Sequence, residues 1–152
     1  MPQGAMDEPE RRLNNLAFHQ SPQLLGVVTF DGTLKILNAS WEKALGYPLD
    51  ALVGRKLATL ADPNDRATVL RLINPRLAAS DPAPIELSFK CSNGTYKAFV
   101  WERRPVVAEQ TMFISGRDIT EKKKIEVTAN LKLYALYVQE RKPNPIAGQT
   151  KR

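Results

Sequence analysis

Few side chains in this sequence belong to the types that carry out chemistry. The chain of 152 residues contains one histidine, His19, and one cysteine, Cys91. A single cysteine cannot form an internal disulfide, and Cys91 has no histidine or second cysteine at metal-ligand spacing. Asp62 and Asp65 are close in sequence, but carboxylates at the start of a helix are adequately explained by capping and the helix dipole. The sequence therefore predicts no metal site.

Catalytic motifs are missing as well. The sequence has no Walker loop, no nucleophile elbow and no cluster of metal-binding carboxylates. The two tryptophans, Trp41 and Trp101, could contact a cofactor, but the large area that an indole ring buries favours a place in the core. We therefore predict that this chain is not an enzyme.

The length and composition are typical of one globular domain. The hydrophobic fraction of 43% and the charged fraction of 25% are typical of soluble proteins, and no run approaches the roughly 20 apolar residues of a membrane helix. No N-terminal segment resembles a signal peptide. A single cysteine favours a reducing compartment, so we expect a cytoplasmic location.

The positive charge is concentrated near the C-terminus. The net charge is +6, and residues 121–152 contain eight Lys or Arg against three Glu. A basic surface can bind nucleic acid, but a cluster such as Lys122 to Lys124 at the start of a helix is more often a solvated face. We therefore do not expect nucleic-acid binding.

The first half of the chain predicts a helix, a hairpin and short helices. Residues 7–21 are expected to form a helix that begins at a capping box. Two strands follow, LLGVVTF and TLKILN, joined by a tight turn at Asp31-Gly32. Asn38 is a good N-cap for the next short helix, and Gly46 can end that helix in a left-handed conformation.

The second half predicts a longer helix followed by three strands. The helix begins at DPND (62–65) and is interrupted at Asn74-Pro75. Alternating apolar residues and an Asn-Gly turn at 93–94 predict a second hairpin and a last strand. These strands are expected at 85–91, 95–105 and 111–117.

A charged helix is expected to close the domain. It begins at a capping box of Asp118 and Glu121 and runs to about Arg141. The spacing of four, three and four between its apolar residues is that of a coiled-coil seam. Because the seam is short, a plain amphipathic helix fits the same pattern. The seam residues are Val127, Leu131, Tyr134 and Val138.

These elements predict an α+β fold. Five strands arranged as two and then three, and mostly joined by hairpins, imply a five-stranded antiparallel sheet with short helices packed on one face. An N-terminal helix and a C-terminal linker helix flank the domain. The expected boundaries are 1–6 for processed or disordered residues, 7–21 for the flanking helix, 22–120 for the domain, 121–141 for the linker helix and 142–152 for a disordered tail.

Four stretches of the sequence resemble PAS domains of the type found in bacterial, especially cyanobacterial, sensor histidine kinases. They are FDGTLKILNASWEKALGYPLDALVG (30–54), DPNDR (62–66), CSNGTYKAFVW (91–101) and GRDITEKKK (116–124), and they stand in the expected order and spacing. The resemblance implies the PAS fold. Two departures from the family pattern are Asp62, where a histidine is common, and Ala98, where an aromatic residue is common.

PAS domains can hold haem, flavin or small metabolites between the sheet and the short helices. The resemblance therefore implies a set of pocket-lining candidates in this chain. Many PAS domains have no known ligand, so an interior filled by its own side chains is the alternative. The candidates are Val27, Ile36, Leu45, Val69, Leu72, Phe89, Phe99, Trp101 and Ile114.

Two cofactors are disfavoured. Haem needs an axial ligand such as a histidine in the helices after the first hairpin, whereas His19 precedes the matched stretches and is expected to be solvated. A covalent flavin of the light-oxygen-voltage type needs a cysteine between Leu60 and Asp65, whereas Cys91 is expected to be a small buried residue at a strand end. A non-covalent flavin, another small molecule or no cofactor all remain open.

The resemblance implies a sensor and signal-transduction module. It would be an input domain of a larger signalling protein, such as a two-component histidine kinase, and would relay a ligand, redox or partner signal through the C-terminal helix to an output domain. The junction that would direct this helix comprises Asp118, Ile119, Thr120 and Glu121. The helix seam would pair with a second copy to form a homodimer. The alternatives are a photoreceptor or redox sensor with non-covalent flavin, and a ligand-free dimerisation or protein-interaction domain.

Overall fold

The two predicted hairpins are parts of one sheet. The computed structural model describes residues 8–141, and its five strands are β1 (Leu24–Thr29), β2 (Leu34–Leu37), β3 (Ile85–Lys90), β4 (Tyr96–Val106) and β5 (Thr111–Asp118). All neighbouring strands are antiparallel, in the order β2-β1-β5-β4-β3. The predicted α+β fold is confirmed. The expectations for residues 1–6 and 142–152 lie outside the described residues.

Along the chain, helices lie before the first strand, between β2 and β3, and after the last strand. They are α1 (Glu8–Gln20), α2 (Ser40–Leu45), α3 (Leu49–Leu52), α4 (Arg66–Ile73), α5 (Pro75–Ser80) and α6 (Thr120–Arg141), with short 3₁₀ turns at Leu57–Thr59, Pro63–Asp65 and Val107–Glu109. Residues 8–119 belong to one compact unit, and residues 120–141 belong to a second.

Turn chemistry explains both hairpins. Gly32 and Gly94 have φ values of 90° and 89°, a left-handed backbone conformation that glycine adopts without steric cost. At the first turn, the Thr29 N–H donates to the Thr33 carbonyl at 2.9 Å. The predicted turns at Asp31-Gly32 and Asn93-Gly94 therefore join the strands that the sequence indicated.

The helix predicted after Asp62 is two helices. Proline at 75 cannot continue α4, because it lacks a backbone donor. The side chain of Asn74 accepts hydrogen bonds from the N–H groups of Arg76 at 2.9 Å and Leu77 at 3.3 Å. Asn74 is thus the N-cap of α5.

The connector between α3 and α4 covers part of each sheet edge. On the β2 side, the Leu34 N–H donates to the carbonyl of Arg55 at 2.9 Å. On the β3 side, the Lys90 N–H donates to the carbonyl of Leu60, also at 2.9 Å. Unpaired strand edges attract other chains, so this connector protects the two edges of the sheet.

Candidate functional site

Most of the predicted pocket residues belong to the buried core formed by the sheet and the helices. Seven of the nine are at most 1% exposed and belong to one buried cluster, to which the strands, α2 and α4 all contribute. The structure therefore brings these seven together, and their role as ligand contacts remains a prediction. They are Leu45, Val69, Leu72, Phe89, Phe99, Trp101 and Ile114.

The other two predicted pocket residues, Val27 and Ile36, lie on the opposite face of the sheet. They pair with each other across β1 and β2, and Ile36 is 55% exposed. The register shifts between Val27 and Val28, and β2 buries its two ends, Leu34 and Leu37, instead of alternating. The prediction that Val27 and Ile36 line the interior is therefore wrong. Strand β1 alternates regularly but buries Leu24 and Val28 instead of Val27, and β2 does not alternate.

Four aromatic rings occupy the centre of the buried cluster. The ring centroid of Trp101 lies 5.4 Å from those of Trp41 and Phe89 and 5.8 Å from that of Phe99. All four side chains are fully buried. Tilted and edge-on contacts of this kind are favourable for aromatic rings, and both tryptophans pack in the core as the sequence predicted.

The two buried indole N–H groups differ in their contacts. Trp41 donates from Nε1 to the carbonyl of Leu25 at 2.9 Å. The Nε1 atom of Trp101 is buried and has no hydrogen-bond partner. An unsatisfied buried donor costs about 1–3 kcal/mol. A ligand with a hydrogen-bond acceptor could therefore gain a favourable contact with the Nε1–H group of Trp101.

The backbone at Gly116 lies directly against Trp101. The two residues pair across β5 and β4, and a Cβ atom at position 116 would lie 2.5–2.7 Å from three atoms of the indole ring. This contact is not among the features predicted from the sequence. A glycine inside an alternating strand is a signal of close approach, and it could have pointed to Gly116.

Asn38 is a fully buried polar residue that joins three segments. Its Nδ2 donates to the carbonyls of Phe18 at 2.8 Å and Gln23 at 2.9 Å, and its Oδ1 accepts from the Leu25 N–H at 3.0 Å. The predicted N-cap role is therefore wrong, since the helix cap is at Ala39 and has no side-chain hydrogen bond. Asn38 instead fixes the chain between α1 and β1.

His19 and Ser40 make further contacts at the same place. The Nδ1 atom of His19 accepts a hydrogen bond from the Ala39 N–H at 3.1 Å, and the Ser40 hydroxyl donates to the carbonyl of Ser21. Since a backbone N–H can only donate, Nδ1 carries a lone pair and the ring proton is on Nε2. His19 is exposed to solvent, as the sequence predicted, but it also has a specific structural contact.

Ile119 connects the sheet to the last helix. Because β5 ends at Asp118 and α6 begins at Thr120, one residue makes the whole transition. The Ile119 side chain is 8% exposed, and its N–H donates to the carbonyl of Ala98 on β4 at 2.8 Å. In the first turn of α6, Glu121 forms an exposed ion pair with Lys124 at 3.5 Å.

The sequence matches a family model described as the PAS fold over residues 18–124. The chain belongs to the PAS family. The match begins near the end of α1 and ends early in α6, so the stretch that matches the PAS family includes both the Asn38 contacts and the Ile119 connection. Comparison with curated proteins finds no match.

Solved structures with the same fold include sensor domains. A PAS domain from Colwellia psychrerythraea has a TM-score of 0.63 and 19% identity, covering 76% of this chain and 99% of its own. A domain of the sensory box sensor histidine kinase/response regulator from Geobacter sulfurreducens has a TM-score of 0.58 and 16% identity, covering 72% and 94%. The Cronobacter turicensis RpfR quorum-sensing receptor PAS domain, in complex with C12:0, has a TM-score of 0.57 and 19% identity, covering 66% and 97%. At these identities the likeness establishes the fold.

The interior of this PAS domain is apolar around Cys91 and around Leu60 and Ala61. The Sγ atom of Cys91, which is buried, lies 3.7 Å from the carbonyl oxygen of Ala44. Leu60 and Ala61 are buried in the segment where a light-oxygen-voltage cysteine is expected. Among the described residues, no group of three or more His, Cys, Asp or Glu side chains could hold a metal ion.

Two charged residues of the PAS domain have shifted pKa values and contact the backbone of a turn or loop. A hydrogen bond from the Thr29 hydroxyl, supported by Lys56, lowers the pKa of the Asp31 carboxyl at the surface of the first hairpin. Burial lowers the pKa of Arg103, whose guanidinium donates to two carbonyls of the loop before β3 at 2.6 and 2.7 Å. Both groups hold backbone turns in place.

Helix α6 is apolar on two opposite sides. The predicted seam residues are 43–66% exposed, and Ile125, Leu133 and Leu136 are 58–68% exposed. With 3.6 residues per turn, these three fall opposite the seam. Over residues 8–141, neither α6 nor any other helix combines the length and the apolar character needed to cross a membrane.

Proposed function

We propose that this PAS sensor domain is a non-catalytic, cytoplasmic input module of a larger signalling protein, such as a two-component histidine kinase. The observation that carries the proposal is the connection at Ile119, the residue immediately before α6, whose buried side chain and hydrogen bond to Ala98 hold it against β4. The likeness to a domain of a sensor histidine kinase supports it. A movement of β4 relative to β5 would reach α6 through Asp118, Ile119, Thr120 and Glu121 without crossing a flexible loop.

The free energy of the hydrogen bond at this junction is comparable to the free-energy difference between two conformations of a switch. One backbone hydrogen bond contributes about 0.5–1.5 kcal/mol, and two conformations that differ by a few kcal/mol can be shifted by a ligand that prefers one of them. Breaking or lengthening the bond between the Ile119 N–H and the Ala98 carbonyl would therefore change the population of α6 orientations measurably.

We expect a change in the interior of β4 to loosen the start of α6. Phe99 is fully buried and pairs with Asp118 across β4 and β5, so Phe99→Leu should raise amide hydrogen exchange in the first two turns of α6 by about tenfold, as expected for the loss of about 1.4 kcal/mol. Val69→Ala is the control, because Val69 is equally buried but lies on α4. If both variants change α6 equally, or if neither does, the proposed relay fails.

A second copy of this chain is the proposed partner of α6. Val127, Leu131, Tyr134 and Val138 have coiled-coil spacing, and all four are exposed in the single chain. Burying such side chains against the same residues of a second helix removes apolar surface from water, which contributes about 25 cal/mol per Å². The proposed product is a homodimer that joins two output domains.

Leu131→Lys should weaken self-association at least about tenfold, because it places a charge in the apolar seam. Sedimentation should give wild-type protein twice the single-chain mass of 17.0 kDa. Leu133→Lys is a matched control, since Leu131 and Leu133 are 63% and 64% exposed but lie on different sides of α6. A wild-type monomer at high concentration, or equal effects of the two substitutions, would contradict the seam.

The second candidate function is a receptor for an apolar small molecule. The unpartnered Nε1 of Trp101 supports it, because a ligand with one hydrogen-bond acceptor would satisfy this donor. A protein of the same fold is in complex with C12:0. Non-covalent flavin and a ligand-free interior are the alternatives. The absorbance spectrum of the purified protein, followed by mass spectrometry of extracted molecules, distinguishes the three.

A further inference from the structure

A cluster of polar side chains holds the C-terminal end of α1. These contacts lie near the start of the domain sequence, whereas Ile119 lies near its end. Asn38 and Ser40 are the buried polar residues of the part of the chain that the structure describes. Both bond to the segment 18–23, Asn38 through the carbonyls of Phe18 and Gln23 and Ser40 through that of Ser21. Burying a polar group is costly unless it is paired, so this segment is firmly attached to the core.

Helix α1 depends on that attachment. None of its residues is buried, and its apolar side chains Leu13 and Leu16 are 66% and 52% exposed. Because α1 places no side chain in the core, the contacts at its C-terminal end contribute to its position. We call His19, Asn38 and Ser40, the three side chains that make these contacts, the α1 latch.

His19 is the titratable member of the α1 latch. Its Nδ1 accepts from the Ala39 N–H at 3.1 Å, which requires the neutral imidazole. A protonated imidazole has two donors and no acceptor, so protonation replaces this hydrogen bond by a contact between two donors. Histidine is the side chain whose charge ordinarily changes between pH 5 and 8.

The neighbouring charged groups do not replace the lost bond. The Phe18 ring meets the imidazole edge-on at 5.2 Å between centroids, and residues 20–23 contain no titratable side chain. On α2 the charged residues are Glu42 and Lys43. The Glu42 carboxylate accepts from the N–H of Leu49 at 3.1 Å, which directs it toward α3. On α1 the nearest charged residue along the chain before His19 is Arg12.

We propose that protonation of His19 breaks its contact with the Ala39 N–H and so loosens the last turn of α1 from the N-terminus of α2. The domain then has a proton-sensitive junction at α1 that is separate from the exit through Ile119. Asn38 and Ser40 keep the carbonyls of Phe18, Ser21 and Gln23 in place in both states, so the change is confined to the last turn of α1 and the first residues of α2.

Amide hydrogen exchange of the intact chain at pH 5.0 and pH 7.5, corrected for intrinsic exchange rates, tests this proposal. For wild-type protein, we expect the protection of the Ala39 amide and of the last turn of α1 to be about tenfold lower at pH 5.0, as expected for the loss of one hydrogen bond. His19→Asn retains an acceptor oxygen close to the position of Nδ1 and does not titrate, so its protection should be the same at both pH values. His19→Ala should have low protection at both.

Two outcomes would overturn the proposal. In the first, wild-type Ala39 is equally protected at pH 5.0 and pH 7.5. In the second, His19→Asn has the same pH dependence as wild type, which would place the titrating group elsewhere. Circular dichroism at both pH values checks that all three proteins remain folded.

Discussion

Gly116→Ala should destabilise the domain by about 2–3 kcal/mol, in the range of an overpacked core. The added Cβ would lie 2.5–2.7 Å from the Trp101 ring, which is closer than any normal carbon contact. Trp101 cannot move away easily, because its ring is rigid and packs against Trp41, Phe89 and Phe99. Urea unfolding measures the effect, and the fluorescence of two fully buried tryptophans should report it clearly.

A double-mutant cycle isolates the contact between Gly116 and Trp101. Trp101→Leu alone should cost about 3 kcal/mol through lost burial, but it also removes the ring atoms that Cβ would meet. Gly116→Ala should therefore cost at least about 1 kcal/mol less in that background than in wild type. An equal cost in both backgrounds would mean that backbone effects, and not the indole ring, require glycine at this position.

Asn38→Asp should cost about 3 kcal/mol or more at pH 7, because it leaves a buried charge without a counterion. In the wild-type protein, the Nδ2 group of Asn38 donates to the carbonyl oxygens of Phe18 and Gln23. A carboxylate would instead bring negative oxygen against both acceptors. Chemical unfolding of the two proteins at pH 7 measures the difference.

The pH dependence of Asn38→Asp has a definite sign. Burial and the two carbonyls should raise the folded-state pKa of the introduced carboxyl above the unfolded value of about 3.9. A group with a raised pKa stabilises the fold below the unfolded value, and this contribution is lost as the pH rises through the folded value. The variant should therefore recover stability relative to wild type as the pH falls, since the protonated carboxyl can donate one hydrogen bond.

Asn74→Asp is the matched control for this prediction. Asn74 caps α5 by accepting from the backbone N–H groups of Arg76 and Leu77, and an aspartate oxygen can accept the same bonds. We expect a change within about 0.5 kcal/mol. A similar loss at both positions would show that the charge itself, and not the buried donor role of Asn38, is responsible.

Signals from neighbouring residues predicted the elements of this fold well. The strand from Ile85 to Lys90 alternates inward and outward, and the Asp-Gly and Asn-Gly turns lie where the hairpins turn. Seven pocket candidates face the interior for the same reason, since side chains in a regular strand or helix repeat with a fixed period. Ile36 was misplaced because β2 does not alternate, and Val27 because both alternating sets of positions in β1 contain apolar residues.

The sequence by itself determined the family, the order of the elements and the apolar character of the interior. Only the tertiary structure decided that Asn38 bonds to carbonyls 20 and 15 residues away instead of capping a helix, that His19 meets the first residues of α2, and that Gly116 lies against Trp101. The physical reason is the separation along the chain over which each kind of interaction acts. Propensities and periodicity depend on residues within a few positions, whereas a buried amide or a close backbone contact takes its partner from whichever element packs against it.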